Sequence, residues 1–120
     1  MEAQNKVQRL RISPPIRKKV FIVNRRGHDF SRARRFGELV YMTEGLIDPA
    51  GTSHMYRTFS EALSSSSSND LLLTTSLTQM NVVAGCIFAM LHKRLNLLIW
   101  LGGDYVIREL TFEEYAQLRQ

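Results

Sequence analysis

Hydrophobic positions along this chain fall into short blocks, and the spacing inside the blocks alternates between two kinds. Val20-Phe21-Ile22-Val23, Leu39-Val40-Tyr41-Met42-Thr43, Asp70-Leu71-Leu72-Leu73-Thr74 and Leu97-Leu98-Ile99-Trp100-Leu101 are near-continuous apolar runs of strand length. They read as strands, the first and third buried on both faces. Between them the period lengthens. Met55, Tyr56, Phe59, Ala62 and Leu63 recur at three- and four-residue spacing and predict a helix that Thr52 or Ser53 can cap. Thr78 to Arg94 reads as the longest helix. It is apolar nearly all round, so it should be buried or covered by another chain.

Turn chemistry separates these blocks. Arg25 to Asp29 form a loop, Asp29 or Ser31 can cap a short helix through Phe36, and Gly37 stops it. Gly45, Pro49 and Gly51 make residues 44–51 a loop, and the serine run 64–68 ends the next helix. Gly102-Gly103 turns the fourth strand into a returning strand over Tyr105 to Leu110, a β-hairpin. Thr111 followed by Glu114 is a capping box for a terminal helix holding Tyr115 and Leu118.

Strand and helix alternating in this way predict an α/β fold. The expectation is a single three-layer Rossmann-like domain over residues 20–120, with a mostly parallel sheet of about five strands and a C-terminal antiparallel hairpin strand. Residues 1–19, with few apolar positions and the stiff pair Pro14-Pro15, are expected to form a basic N-terminal arm.

Composition trims the alternatives. With 44% hydrophobic and 22% charged residues in 120, the chain is neither disordered nor collagen-like. Cys86 is the single cysteine, which excludes an internal disulfide and points to a reducing compartment. On the plain reading it is a small buried apolar side chain. No apolar stretch fit for a secretory signal precedes Pro14, and the tract from Met80 to Leu91 is too short to span a bilayer. A cytoplasmic protein without membrane contact is expected.

Charge adds more. The net charge is +5, yet residues 1–35 hold eleven basic side chains against Glu2 and Asp29, a balance of +9, while residues 36–120 hold five against nine, a balance of −4. Arg9, Arg11, Arg17, Lys18, Lys19, Arg32, Arg34 and Arg35 are therefore candidates to bind a polyanion. Aromatic residues there are sparse, so base-specific recognition is not expected.

In parallel sheets ligands bind beyond the carboxyl ends of the strands. Asn24, Arg25, Arg26 and Gly27 follow the first strand, and Thr75 and Ser76 follow the third, giving a candidate ligand-binding set with the arginines as anion clamps. His28, Asp29 and Glu44 are the candidate catalytic groups were the protein an enzyme, His28 as acid or base. No cofactor is predicted; in the enzyme reading Asp29 and Glu44 would hold Mg²⁺. Each residue also fits a purely structural role, Asp29, Thr75 and Ser76 as helix caps and His28 as a turn residue. GxGxxG, GxxxxGK[ST], HExxH and GxSxG are all missing, which leans away from an enzyme.

The stretches VFIVNRRGHDFSRARRFGELVYMTEG and LLLTTSLTQMNVVAGCIFAMLHKRLNLLIW resemble small uncharacterised α/β proteins of tailed bacteriophages. That resemblance spans about residues 20–110 and carries no assigned activity; it implies an accessory or virion-associated protein in a host cytoplasm. The leading expectation is a non-enzymatic binding protein whose basic N-terminal surface engages nucleic acid or an acidic protein. The alternatives are an enzyme or sensor for a nucleotide- or phosphate-bearing ligand at the strand ends, and an assembly component that forms homo-oligomers.

Overall fold

The structure, a computed structural model, describes residues 18–45 and 50–113. Arg9, Arg11 and Arg17 of the predicted arm, and Tyr115 and Leu118 of the predicted terminal helix, lie outside the described residues.

Five strands form one sheet: β1 Lys19–Ile22, β2 Glu38–Tyr41, β3 Leu71–Leu73, β4 Arg94–Leu101 and β5 Asp104–Thr111. Two helices, α1 Thr52–Leu63 and α2 Thr78–His92, and one 3-10 segment, Ser31–Phe36, connect them. The strand order is β2-β1-β3-β4-β5, with β5 antiparallel to β4 and every other pairing parallel. The α/β fold with a mostly parallel five-strand sheet and a closing antiparallel strand is as the spacing predicts.

Alternation of side chains along each strand decides which face a connection covers. Phe21, Val23 and Leu72 point to one face, where they meet Met55, Phe59 and Leu63 of α1 and Met80, Ala84, Ile87 and Phe88 of α2. Val20, Ile22, Leu71, Leu73 and Leu98 point to the other, where Phe30, Ala33 and Tyr105 pack on them. The apolar runs of β1 and β3 are thus buried on both sides, Val20 through Val23 completely. The chain moves outward from β1 to β2 and then reverses to β3 and β4. Right-handed crossovers put the 3-10 segment on one face and both helices on the other in that case.

Several expectations change, the first being the cap of α1, where Gly51 and not Thr52 or Ser53 is the N-cap residue. The helix predicted through Arg94 stops at His92, because Lys93 adopts the left-handed conformation at φ 56 and its N–H bonds the Ala89 carbonyl at 2.8 Å. Arg94 is thereby released to open β4 opposite Thr111. Cys86 is exposed rather than buried. It lies on an outward stripe of α2 with Val82 and Met90, 60% and 69% exposed, at four-residue spacing. An all-apolar helix has more apolar faces than this sheet and α1 can cover.

At the amino ends of the strands the polar groups are consumed by the fold. Asp70 and Asn96 are buried. Asp70 accepts the N–H of Lys19 on Oδ1 at 2.8 Å and the N–H of Ser67 on Oδ2 at 2.7 Å. Asn96 Nδ2 donates to the carbonyls of Ser68 and Asp70 at 2.7 and 3.0 Å, and its Oδ1 accepts from Arg94 Nε at 2.9 Å. Three strands are tied together there. Beside them Glu38 N–H bonds the Lys18 carbonyl at 2.9 Å, and Gly37 approaches that carbonyl so closely that a Cβ would collide with it.

Candidate functional site

At the carboxyl ends the situation reverses. The chain leaves β1 toward one face and β3 toward the other, so neighbouring strands part company between β1 and β3. A crevice at such a switch point is the usual ligand position in open α/β sheets. Here a cleft of about 430 Å³ collects His28, Asp29 and Phe30 after β1, Leu73 through Ser76 after β3, and Trp100 and Tyr105 from the β4–β5 hairpin. That volume lies within the range of small-molecule sites, about 300 to 1,000 Å³.

Each wall has a local cause. Gly27, at φ +91, turns the chain sharply before His28, whose ring meets that of Phe30 edge-on at 5.9 Å. Asp29 Oδ1 accepts the Ser31 N–H at 2.9 Å, closing a tight side-chain turn. That backbone bond, then the Ser31 hydroxyl, hold the Asp29 carboxyl below its ordinary pKa, and Arg34 and Arg32 add to it against a small desolvation. Asp29 is therefore an acceptor at neutral pH. On the β3 side Asn81 clamps Thr75, donating to its carbonyl at 2.6 Å and accepting its N–H at 3.1 Å. Ser76 stays exposed. Neither Thr75 nor Ser76 caps α2 as expected, since Leu77 is its N-cap residue and the N-cap makes no side-chain bond.

The hairpin supplies the aromatic wall. Trp100 and Tyr105 are cross-strand partners with ring centroids 4.9 Å apart in an edge-on arrangement. Burial raises the Tyr105 phenol above its ordinary pKa, and the charges of Asp29 and Tyr41 push the same way. Trp100 is about half exposed and has the Arg32 guanidinium over its ring at 6.0 Å.

His28, Asp29, Thr75 and Ser76 therefore meet as the sequence suggested. Asn24, Arg25, Arg26, Gly27 and Glu44 do not line the cleft. Asn24 is buried and holds two loops together, its Nδ2 donating to the Gly45 carbonyl at 3.2 Å and its Oδ1 lying 3.2 Å from the Thr43 hydroxyl. Arg25 pairs with Glu44 at 3.2 Å and lies 4.8 Å from the Tyr41 ring centre. Strand order explains the split. β2 lies on the far side of β1 from β3, so the loop carrying Glu44 opens away from the β1–β3 crevice. Among the described residues no three His, Cys, Asp or Glu side chains gather to hold a metal ion.

The basic side chains gather elsewhere. Lys18, Arg34 and Arg35 line a separate concavity of about 580 Å³ with Phe36, Glu38 and Tyr41. Arg35 donates to both Asp104 carboxylate oxygens at 2.8 and 2.9 Å, a contact that, followed by the Tyr105 N–H, lowers the Asp104 pKa. Arg32 donates to the Gly103 carbonyl at 3.3 Å. Lys19 is the first residue of β1.

Sequence reasoning missed Phe30, Trp100 and Tyr105. A signal was present for two of them: a two-residue Gly102-Gly103 turn fixes Leu101 against Asp104 and hence Trp100 against Tyr105. No helix among the described residues is long and apolar enough to cross a membrane. No protein family, curated protein or solved structure matches this chain.

Proposed function

We propose that this protein is a binding protein that holds a small planar ligand in the cleft where β1 and β3 part. One observation carries the reading: four polar residues chosen from the sequence meet an aromatic hairpin wall at the sheet's switch point. Binding rather than catalysis is favoured because, of the three candidate catalytic groups, only His28 and Asp29 share the cleft, while Glu44 is engaged by Arg25. The strand order, with helices on one face and the 3-10 segment on the other, supports a Rossmann-like three-layer domain. A single, exposed thiol at Cys86 supports a reducing cytoplasm.

Trp100 is the chain's only tryptophan, so its fluorescence reports directly on the cleft. Titration with a panel of non-fluorescent ring-bearing metabolites is expected to give a saturable change that His28→Ala weakens. A flat response to every compound would sink the reading.

A second reading is carried by the concavity of Lys18, Arg34 and Arg35, next to the point where residues 1–17 join the domain. Together with Arg9, Arg11 and Arg17 these residues would contact a nucleic-acid backbone. Binding to short DNA and RNA should fall with salt, the slope losing about 0.7 to 0.9 for each phosphate contact removed by Lys18→Ala or Arg34→Ala. Affinity that is absent at low salt, or insensitive to salt, counts against it.

A further inference from the structure

We propose that the cleft selects an uncharged planar heterocycle bearing N–H donors, a nucleobase or its nucleoside, and leaves any attached phosphate in solvent. The inference rests on the cleft reading and names its ligand class. It reverses the sequence expectation that a phosphate anchors the ligand.

Charge around the cleft is the first argument. Among the described residues lining it there is no Lys or Arg, and one carboxylate, Asp29. Of the neighbouring guanidiniums, Arg25 pairs with Glu44 and Arg35 with Asp104, Arg32 donates to the Gly103 carbonyl while lying 6.0 Å from the Trp100 ring centre, and Arg26 and Arg34 do not line the cleft. A phosphate entering this space would meet an acceptor-only anion and no cation within the wall. The basic concavity, where a phosphate would be welcome, is a different hollow.

Shape and hydrogen-bonding capacity supply the second. Phe30, Trp100, Tyr105 and the His28 ring make the wall largely aromatic, and a flat ring stacks on such a surface whatever its sequence of atoms. Asp29 spends one oxygen on Ser31, and a carboxylate offers about four lone-pair sites in all, so it can still accept N–H donors from a ring edge. The Thr75 and Ser76 hydroxyls can donate to a ring carbonyl or accept from a ring N–H. Guanine, with two adjacent N–H donors that match a carboxylate, is expected to fit best.

The test is calorimetric titration with guanosine, adenosine, cytidine, uridine, the guanosine 5′-monophosphate, inorganic phosphate and indole. Guanosine should saturate and bind at least as tightly as its monophosphate, and phosphate should neither bind nor compete. Asp29→Asn keeps an acceptor for the Ser31 N–H, so the turn survives; it should weaken guanosine about tenfold, as losing a charge-assisted hydrogen bond does, and leave indole unchanged. Ser76→Ala should weaken guanosine less. A monophosphate ten times tighter than the nucleoside, or competition by phosphate, would overturn the inference. Indole binding without any nucleoside binding would overturn it too while sparing the cleft; a response to neither would remove both.

Discussion

The two ends of the sheet treat polar side chains in opposite ways. At the amino end Asp70 and Asn96 are buried and saturated by main-chain groups and Arg94, tying β1, β3 and β4 together. At the carboxyl end Asp29 and Thr75 are held by short-range bonds and, with the exposed Ser76, line the cleft. Buried acceptors with every partner in place are stabilising, and leaving their partners unsatisfied is costly. Exposed ones contribute little to stability and retain capacity for a ligand. The same residue type, aspartate, is a structural knot at one end and an exposed, cleft-lining acceptor at the other.

The sharpest way to break this contrast is Asp70→Ala. It strips two N–H donors of a carboxylate acceptor and is expected to cost about 3 kcal/mol, read from the denaturant midpoint. A loss no larger than that of a cleft variant would erase the distinction between the ends. Gly37→Ala comes next, at about 2 kcal/mol, because the added Cβ drives into the Lys18 carbonyl and must push β2 away from the start of β1. An unchanged midpoint would mean that this approach can relax freely. His28→Ala and Ser76→Ala, by contrast, should alter stability by no more than about 0.5 kcal/mol while weakening ligand response at Trp100. Equal loss of fold and binding would make the cleft a structural feature only.

The smallest expected effect is acid sensitivity. Asp104 is lowered from its model-compound value of 3.8 mainly by Arg35, and Asp29 chiefly by the Ser31 N–H. A depressed folded-state pKa contributes stability that is complete above the unfolded value and lost as pH falls through the folded one. Both groups are exposed, so the loss should be slight and confined below about pH 4. Asp104→Asn should flatten that acid limb and leave neutral stability almost unaltered. A steeper limb in the variant would show that another group governs it.

Much of the architecture was legible because local signals agreed with one another. The runs at Val20 and Leu71 had strand length and no polar face, and Gly102-Gly103 had only one sensible use. Helix α2 was predicted but its end was not, since Lys93 takes a left-handed conformation usually reserved for glycine or asparagine. Half of the site was legible for a different reason. His28 and Asp29, Thr75 and Ser76 follow strands that happen to be neighbours, whereas Glu44 follows one that is not. Neighbourhood depends on which side of β1 each crossover lands, and no residue in the chain encodes that locally. Cys86 was misread because α2 is apolar on its outward stripe as well, where Cys86 lies exposed with Val82 and Met90.

The antiparallel return of β5 has one more consequence. It brings Thr111 back beside Arg94, at the same end of the sheet as Lys18, so both ends of the described domain leave opposite the cleft. A surface that met the domain around Lys18 and Thr111 would leave the mouth of the cleft facing outward.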